Sequence, residues 1–282
     1  MPEFFSTDTL RVLFNISIRY LLFTGSFYLI FYVWKNKKYW YAKIQQRYPE
    51  KQHIFREIKY SFITVLIFGV IIMLTILAGA KGLTLVYTPL NKYGYGYYFI
   101  SIGLMIVLHD TYFYWTHRLM HWKPFFKYVH KTHHLSVNPT PFAAYAFHPL
   151  EAVVEVCIIP LIAFTIPHHA SAIGIFGVYS LLLNVAGHLG YELFPKGFAS
   201  HWLFKWHNTS THHNMHHRLV KCNYGLYFNF WDRIMGTNHA TYEDSYDQTI
   251  TQREEGKEIW KAIKKGGKGI TFSEPEEVLP EV

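Results

Sequence analysis

The chain has 282 residues, of which 50% are hydrophobic, 19% aromatic and 16% charged, with a formal net charge of +8. Charged residues make up about a quarter of a typical soluble domain, so this composition favours a chain surrounded by lipid. The aromatic residues lie inside apolar runs rather than between basic residues, which argues against nucleic-acid binding. Cys157 and Cys222 give neither a disulfide framework nor a Cys-x-x-Cys metal motif.

Apolar runs in the sequence predict four to five membrane-spanning helices. The N-terminus lacks the basic segment of a signal peptide, so the first run is expected to be a permanent anchor. Pro167 and the pair His168-His169 predict a tight hairpin between the last two runs. The predicted fold is therefore all-α, a polytopic membrane bundle with a histidine-rich helical cap on its cytoplasmic side. In chain order the runs cover about 12–34, 61–79, a stretch from about 97 to 109, 150–166 and 171–190.

The distribution of basic residues predicts the orientation of the bundle. Eight lysines and arginines lie between the first two runs, whereas only Lys81 and Lys92 lie between the second and third. The positive-inside rule places the first loop in the cytoplasm, so 116–149 and everything after 190 are cytoplasmic too. His168 and His169 are expected on the opposite side.

Three regions follow from this reading of the sequence. Residues 1–96 form the membrane anchor and its basic loop, and residues 97–240 carry most of the histidines. Residues 241–282 are expected to form a polar cytoplasmic tail, with a short surface helix at Glu254–Lys264 and a flexible end from Lys265.

The 18 histidines are the most informative residues, and many of them recur at helical spacing. Side chains four residues apart lie one turn apart on the same helix face, so two imidazoles so placed can bind one ion. Imidazole suits Zn, Cu, Fe and Ni, and eight or more neutral ligands exceed what one ion uses, so two ions are implied. The absence of a His-Glu-x-x-His motif argues against a zinc metalloprotease. The three clusters are His117-x-x-x-His121, His130-x-x-His133-His134 and His213-x-x-His216-His217, the last directly preceded by His212.

The residues around these clusters resemble the fatty acid hydroxylase and sterol desaturase superfamily over roughly 108–236. Most of the motifs are closest to those of sterol C-5 desaturases, whereas Gly187-His188-x-Gly190-Tyr191-Glu192 is more similar to C-4 methylsterol oxidases. The resemblance implies a non-haem di-iron centre at the cytoplasmic membrane face. The other motifs are Tyr114-Trp115-x-His117, Pro139-Thr140-Pro141-Phe142-Ala143, Ala146-Phe147-His148-Pro149, Asn223-Tyr224-Gly225 and Trp231-Asp232-Arg233.

The resemblance extends the ligand set beyond the three clusters. His188 and His212 would complete the shell of two irons, and His148 is a further candidate. The expected ligands are therefore His117, His121, His130, His133, His134, His188, His212, His213, His216 and His217.

Three carboxylates are candidates for outer partners of the metal ligands, and no catalytic residue is assigned beyond the metal centre. Asp110 lies near the helix face of His117. Glu151 lies one turn into an apolar run, where a carboxylate is costly unless it faces a metal site or protein, so it is expected to orient an imidazole. Glu192 continues a predicted helical stripe from Asn184 and His188.

Together these features predict an integral membrane oxidoreductase of a bacterial inner membrane or the endoplasmic reticulum. It would use O2 to hydroxylate or desaturate a membrane lipid. The sequence has no nicotinamide-binding motif, so electrons are expected from a separate cytochrome b5-like or ferredoxin-like donor with its reductase, docked on the basic cytoplasmic surface. The alternative is a non-enzymatic, histidine-rich protein that binds or transports metal.

Overall fold

The computed structural model describes residues 2–265 and is mostly helical. Helix α1 continues into a π-helical turn at Leu29–Trp34, and short 3-10 turns occur between several of the later helices. The helices are α1 (Pro2–Tyr28), α2 (Asn36–Tyr39), α3 (Lys51–Ala80), α4 (Gly94–Met120), α5 (Lys123–Val129), α6 (Lys131–His134), α7 (Pro149–Val156), α8 (Ile158–Thr165), α9 (Ala172–Gly187), α10 (Ser210–Leu219), α11 (Phe230–Ile234) and α12 (Tyr242–Lys264).

Two helical segments among the described residues are long and apolar enough to cross a membrane, Thr9–Trp34 and Lys51–Ala80. Helix α4 has the length, but its second half carries polar side chains that include His109 and Asp110. Helix α9 is apolar but has only 16 residues, where about 20 are needed to span the hydrocarbon core. The helical fold class is confirmed, whereas the number of four to five spans stays a prediction.

The fourth apolar run is interrupted by a short break in its helix. Helix α7 ends at Val156, and α8 begins at Ile158. Pro160 accounts for the break, because its ring clashes with the carbonyl of the residue four positions earlier and it has no N–H to donate. Each half is therefore only eight residues long.

A two-stranded parallel pair defines one end of the bundle. Strand β1 (Val86–Tyr87) lies in the connection between α3 and α4, and β2 (His168–His169) lies between α8 and α9. Helices α4 and α9 both begin beside this pair and run to the opposite end, where His117 and His188 lie. The fold therefore separates the pair His168-His169 from the clustered histidines, as the predicted orientation requires.

The region after residue 240 is more ordered than a polar tail. Helix α12 begins at Tyr242, twelve residues before the predicted surface helix. Tyr242, Tyr246 and Ile250 are four residues apart and form a buried stripe against Ala199 and Met215. This stripe joins α12 to α10, the helix of the third histidine cluster. The predicted flexible end, from residue 266 on, lies outside the described residues.

Candidate metal centre

Nine histidines converge in two adjacent clusters at the end of the bundle remote from the strands. Within each cluster the potential ligand atoms all lie within 4.8 Å of one another. All nine belong to the set predicted from the sequence, and only His121 is more than marginally exposed. The five-histidine cluster consists of His117, His121, His130, His134 and His216, and the four-histidine cluster consists of His133, His188, His213 and His217.

The spacing of the ring nitrogens fits bound cations. The Nε2 atoms of His117 and His130 are 2.9 Å apart, and those of His213 and His188 are 3.0 Å apart. Imidazole binds such metals at about 2.0–2.1 Å, so adjacent ligands around one ion are separated by roughly 3 Å and opposite ligands by roughly 4 Å. The Nε2 of His216 has no hydrogen-bond partner although it is buried. These residues therefore fit a metal in each cluster.

Backbone carbonyls fix which ring nitrogen is free to bind metal. His117 donates from Nδ1 to the carbonyl of Tyr224 at 2.8 Å, and His216 donates from Nδ1 to that of Cys222 at 2.7 Å. In the four-histidine cluster, His188 donates from Nδ1 to the carbonyl of Asn184 at 2.8 Å. A neutral imidazole with its proton on Nδ1 carries a lone pair on Nε2, the form that metals bind.

Glu151 performs the same task for a fourth ligand. Its Oε1 is 2.6 Å from the Nδ1 of His130, and both side chains are almost completely buried. The sequence predicts that Glu151 orients an imidazole, and the structure brings it to His130 in particular. A carboxylate partner also raises the basicity of the ligating nitrogen, which a carbonyl does less strongly.

The loop after α10 positions the backbone carbonyls of Cys222 and Tyr224. Asp232 accepts hydrogen bonds from the backbone N–H groups of Tyr224 and Gly225, at 2.8 and 2.7 Å. A Cβ atom on Gly225 would lie 2.3 Å from the carbonyl oxygen of Phe228, so only glycine allows this close approach. The motifs around Tyr224 and Asp232 therefore hold the carbonyl that orients His117.

Glu192 supports the histidines through a helix end and not through an imidazole. Its Oε2 accepts hydrogen bonds from the backbone N–H and the hydroxyl of Thr211, in the first turn of α10. Helix α9 ends at Gly187, so Glu192 does not continue the predicted helical stripe from Asn184 and His188. By anchoring the first turn of α10, Glu192 fixes the position of the helix that carries His213.

One other predicted outer residue and one candidate ligand also lie away from the ring nitrogens of the clusters. Asp110 accepts from the backbone N–H groups of Tyr227 and Phe228, at 2.9 and 3.1 Å, and not from an imidazole. His148 caps the N-terminus of α7, where its Nδ1 accepts from the backbone N–H of Leu150. It contributes to neither cluster.

His212 is buried but lies outside both clusters. It precedes His216 by one turn of α10, so its ring lies roughly 5–6 Å further along the helix. There its Nε2 is 3.2 Å from the Oδ1 of Asn238, and its ring contacts that of Tyr242. In this structure His212 therefore contributes to neither cluster, and its role as a metal ligand stays a prediction.

The histidines given no metal role in the sequence analysis lie outside both clusters. His168 donates to the carbonyl of Ile166, and His169 contacts Ser171 and the carbonyl of Thr88, all near the strand pair. Neither approaches a clustered histidine within the described residues. The other histidines outside the clusters are His53, His109, His201, His207 and His239.

Burial sets the charge state of the clustered imidazoles. It lowers the pKa of His117 to about 4, and burial together with neighbouring histidines lowers that of His134 to about 3. Burial also lowers the pKa of His216 and His217 well below the usual histidine value. The folded protein therefore holds neutral imidazoles at neutral pH, as metal binding requires.

We expect the metal-free protein to lose stability as the pH falls below about 6.5. Histidines in the unfolded chain take up protons near that pH, whereas the buried ones resist until about pH 3–4, so the unfolding free energy falls across this window and is constant above it. The unfolding midpoint in detergent should be at least roughly 5 °C lower at about pH 5 than at about pH 7. Equal midpoints would mean that the imidazoles already bear protons or are exposed.

An apolar cavity of about 700 Å³ lies beside the histidines. Two of its wall residues touch the clusters: the ring of Phe113 is 4.9 Å from that of His117, and the ring of Phe147 is 5.2 Å from that of His133. Helices α1, α3, α4, α8 and α9 supply most of the remaining wall. Its size is in the range of small-molecule sites, and its wall contacts both clusters through these two rings.

Fold and site together define a helical protein with long apolar helices, a paired histidine centre and an adjoining apolar cavity. Residues 102–237 match the fatty acid hydroxylase family model, and this segment contains all nine clustered histidines. Residues 102–237 are therefore similar to a fatty acid hydroxylase domain. No solved structure matches it significantly.

Its curated relatives include sterol-modifying enzymes, in line with the motifs. A Delta(7)-sterol 5(6)-desaturase of Gibberella zeae is 33% identical over 67% of this chain and 57% of its own length. One of Aspergillus fumigatus is 30% identical over 66% of this chain and 62% of its own length. Human lathosterol oxidase is 26% identical over 80% of this chain and 78% of its own length. The chain thus spans less than two thirds of the first two relatives.

Proposed function

We propose that this protein is a membrane-bound, non-haem di-iron oxidoreductase that uses O2 to hydroxylate or desaturate a lipid. The observation that carries the proposal is the convergence of nine histidines in two clusters beside an apolar cavity, whose wall residues Phe113 and Phe147 contact them. The names of the curated relatives support a sterol or a related lipid as the substrate.

Each cluster would hold one iron ion through its Nε2 atoms. Two bound irons would supply the activation of O2 and the oxidation of an unactivated C–H bond. The protein itself holds the imidazoles neutral and fixes their direction, through Glu151 on His130 and the carbonyls on His117 and His216. These outer contacts keep the rings from turning when the metal or the substrate changes.

The cavity would hold the lipid with one of its carbons beside the histidines. Phe113 and Phe147 line the cavity where it meets the clusters, so they would exclude water from the reacting carbon and press it toward the metal centre. Removal of one hydrogen followed by addition of a hydroxyl group gives an alcohol, whereas removal of a second hydrogen gives a double bond. The position of the second C–H bond in the bound lipid would decide between them.

The cavity favours an enzyme over a metal transporter or buffer. A transport path would need ligands through the membrane, but the clustered histidines lie at one end of the bundle and His168 and His169 at the other. Between these ends the cavity is lined mainly by apolar side chains, with isolated polar groups. A lipid fits that lining better than a hydrated ion does.

Purified protein supplied with iron, O2, lipid and NADH alone should not turn over. We expect turnover only after addition of a reductase and a small carrier, because the sequence has no nicotinamide-binding motif. Mass spectrometry of the lipid would then show the gain of one oxygen atom or the loss of two hydrogen atoms. Oxidation with NADH as the only reductant would contradict the need for a separate electron donor.

The carrier is expected to dock through surface charge. Lys37 and Lys38 in α2 are exposed, and Lys35 precedes them. The rate should therefore fall as salt rises and the Debye length shrinks to about 10 Å and below. A Lys37→Gln, Lys38→Gln variant should lose part of this salt dependence while its iron content stays unchanged. Unaltered salt dependence in that variant would exclude this patch as the docking site.

A further inference from the structure

Arg19 places a positive charge in the wall of the apolar cavity. It lies in α1, inside the segment Thr9–Trp34 that is long and apolar enough to cross a membrane. Its side chain is partly buried and lines the cavity, as does Asn15 one turn earlier on the same face. An ionised side chain at such a depth is costly, and in most membrane proteins it is paired or has a function.

Within the described part of the chain, the charge of Arg19 interacts electrostatically with the neutral Tyr145 but has no anionic partner. Among residues 2–265, no hydrogen bond or ion pair joins the guanidinium of Arg19 to another side chain or to the backbone. Glu155 lines the same cavity but forms no ion pair with it. Glu155 lies one helical turn from Glu151, which contacts His130, and therefore belongs to the end of the cavity at the metal centre.

Helix α9 gives the separation between Arg19 and the histidines. The guanidinium nitrogens lie 3.8 and 3.9 Å from the positions that Cβ atoms would take on Gly177 and Gly174, so the guanidinium packs against this part of α9. His188 ends the same helix, 11 and 14 residues further on. At about 1.5 Å per residue, the guanidinium is thus roughly 16–21 Å from the four-histidine cluster along the helix axis.

We propose that Arg19 binds an anionic group of the lipid substrate, a carboxylate or a phosphate, at the end remote from the carbon that is oxidised. This inference rests on the proposed function and adds a charge requirement to it. A guanidinium binds either anion through two parallel hydrogen bonds, and an apolar surrounding strengthens them. The apolar wall between the two ends suits the hydrocarbon part of the same molecule. A neutral sterol would leave the charge of Arg19 unpaired.

Binding can be measured without turnover. The full chain, purified in a non-ionic detergent, would be incubated with stearate, stearyl phosphate, stearyl alcohol or cholesterol, and native mass spectrometry would count the retained molecules. We expect the wild type to bind one or both anions roughly 10- to 100-fold more tightly than stearyl alcohol. This is the gain in affinity that hydrogen bonds to a charged group usually give. A preference for stearate supports a free fatty acid, and one for stearyl phosphate supports a phosphate-bearing lipid.

Variants test whether Arg19 is the cause of that preference. Arg19→Gln should bind the anions and the alcohol with similar affinity, and Arg19→Lys should retain part of the preference because it keeps the charge but loses the paired geometry. Arg11→Gln, two turns earlier in α1 and outside the cavity wall, should behave as the wild type. If Arg19→Gln does not fold, the comparison uses Arg19→Lys.

Two results would overturn the inference: equal affinity of the wild type for stearate, stearyl phosphate and stearyl alcohol, or an Arg19 variant that folds and keeps the full preference for anions. The iron content of the same samples separates this outcome from a failure of the proposed function. A wild type that binds anions through Arg19 but holds no iron would refute the di-iron enzyme and leave the anion site standing. Iron-loaded protein without an anion preference would leave the di-iron enzyme standing and refute the anion site.

Discussion

Replacement of His216 or His217 by alanine should abolish lipid oxidation and lower the bound iron. His216 belongs to the five-histidine cluster and His217 to the four-histidine cluster, so each variant removes a ligand of a different ion. No neighbouring side chain can take its place, because the surrounding rings already point to the same centres. The loss of activity should exceed the roughly 10- to 100-fold that the removal of an outer partner costs. Iron would be measured by elemental analysis and turnover by lipid mass spectrometry.

The control for these variants is the double variant His168→Ala, His169→Ala. Its two histidines lie beside the strand pair at the other end of the bundle, so iron and turnover should remain at the wild-type level. Elemental analysis also tests the alternative function, since loosely held and exchangeable zinc in place of iron would favour a metal buffer or transporter. Turnover that survives in both His216→Ala and His217→Ala would refute the di-iron assignment.

Replacement of Glu151 by alanine should weaken iron binding by roughly 10- to 100-fold, although Glu151 touches no metal-binding atom. Without its carboxylate, the Nδ1–H of His130 loses its acceptor in a buried site, and the ring is free to turn. Glu151→Gln should have a smaller effect, because the amide oxygen still accepts from Nδ1 but carries no charge. Titration of the metal-free protein with ferrous iron under argon would give the affinities.

An exposed carboxylate provides the matched comparison. Glu243 forms a surface ion pair with Arg233, and Glu243→Ala should leave iron affinity unchanged. If Glu151→Ala lowers only the unfolding temperature and binds iron as the wild type does, Glu151 supports the fold and not the metal ligand. An effect of Glu151→Gln as large as that of Glu151→Ala would show that the charge, and not the hydrogen bond, matters.

The sequence predicted the clustered histidines because their spacing is local. His117 and His121, or His213 and His217, share a helix face whatever the rest of the chain does. The division into five and four could not be predicted, since His133 and His134 are adjacent in sequence yet belong to different clusters. Consecutive residues of a helix point about 100° apart, so which ring joins which cluster depends on the helices packed around them.

Contacts between residues far apart in sequence could be predicted only in part. The cost of a buried carboxylate predicted that Glu151 faces an imidazole, but not that the imidazole is His130. The carbonyls of Cys222 and Tyr224 gave no signal of their own, because every residue has a carbonyl and only the folded loop directs these two at His216 and His117. The motif around Tyr224 and Gly225 was the available hint.

The sequence by itself determined that this chain is helical and rich in apolar residues, and that it carries histidine clusters similar to those of the fatty acid hydroxylase family. Those properties depend on composition and on spacings within one or two helical turns. The tertiary structure alone decided that His212 is turned toward Asn238 and that Arg19 lines a cavity whose wall contacts the clustered histidines through Phe113 and Phe147. Both depend on contacts between segments tens or hundreds of residues apart, and the packing of whole helices, not local periodicity, sets such contacts.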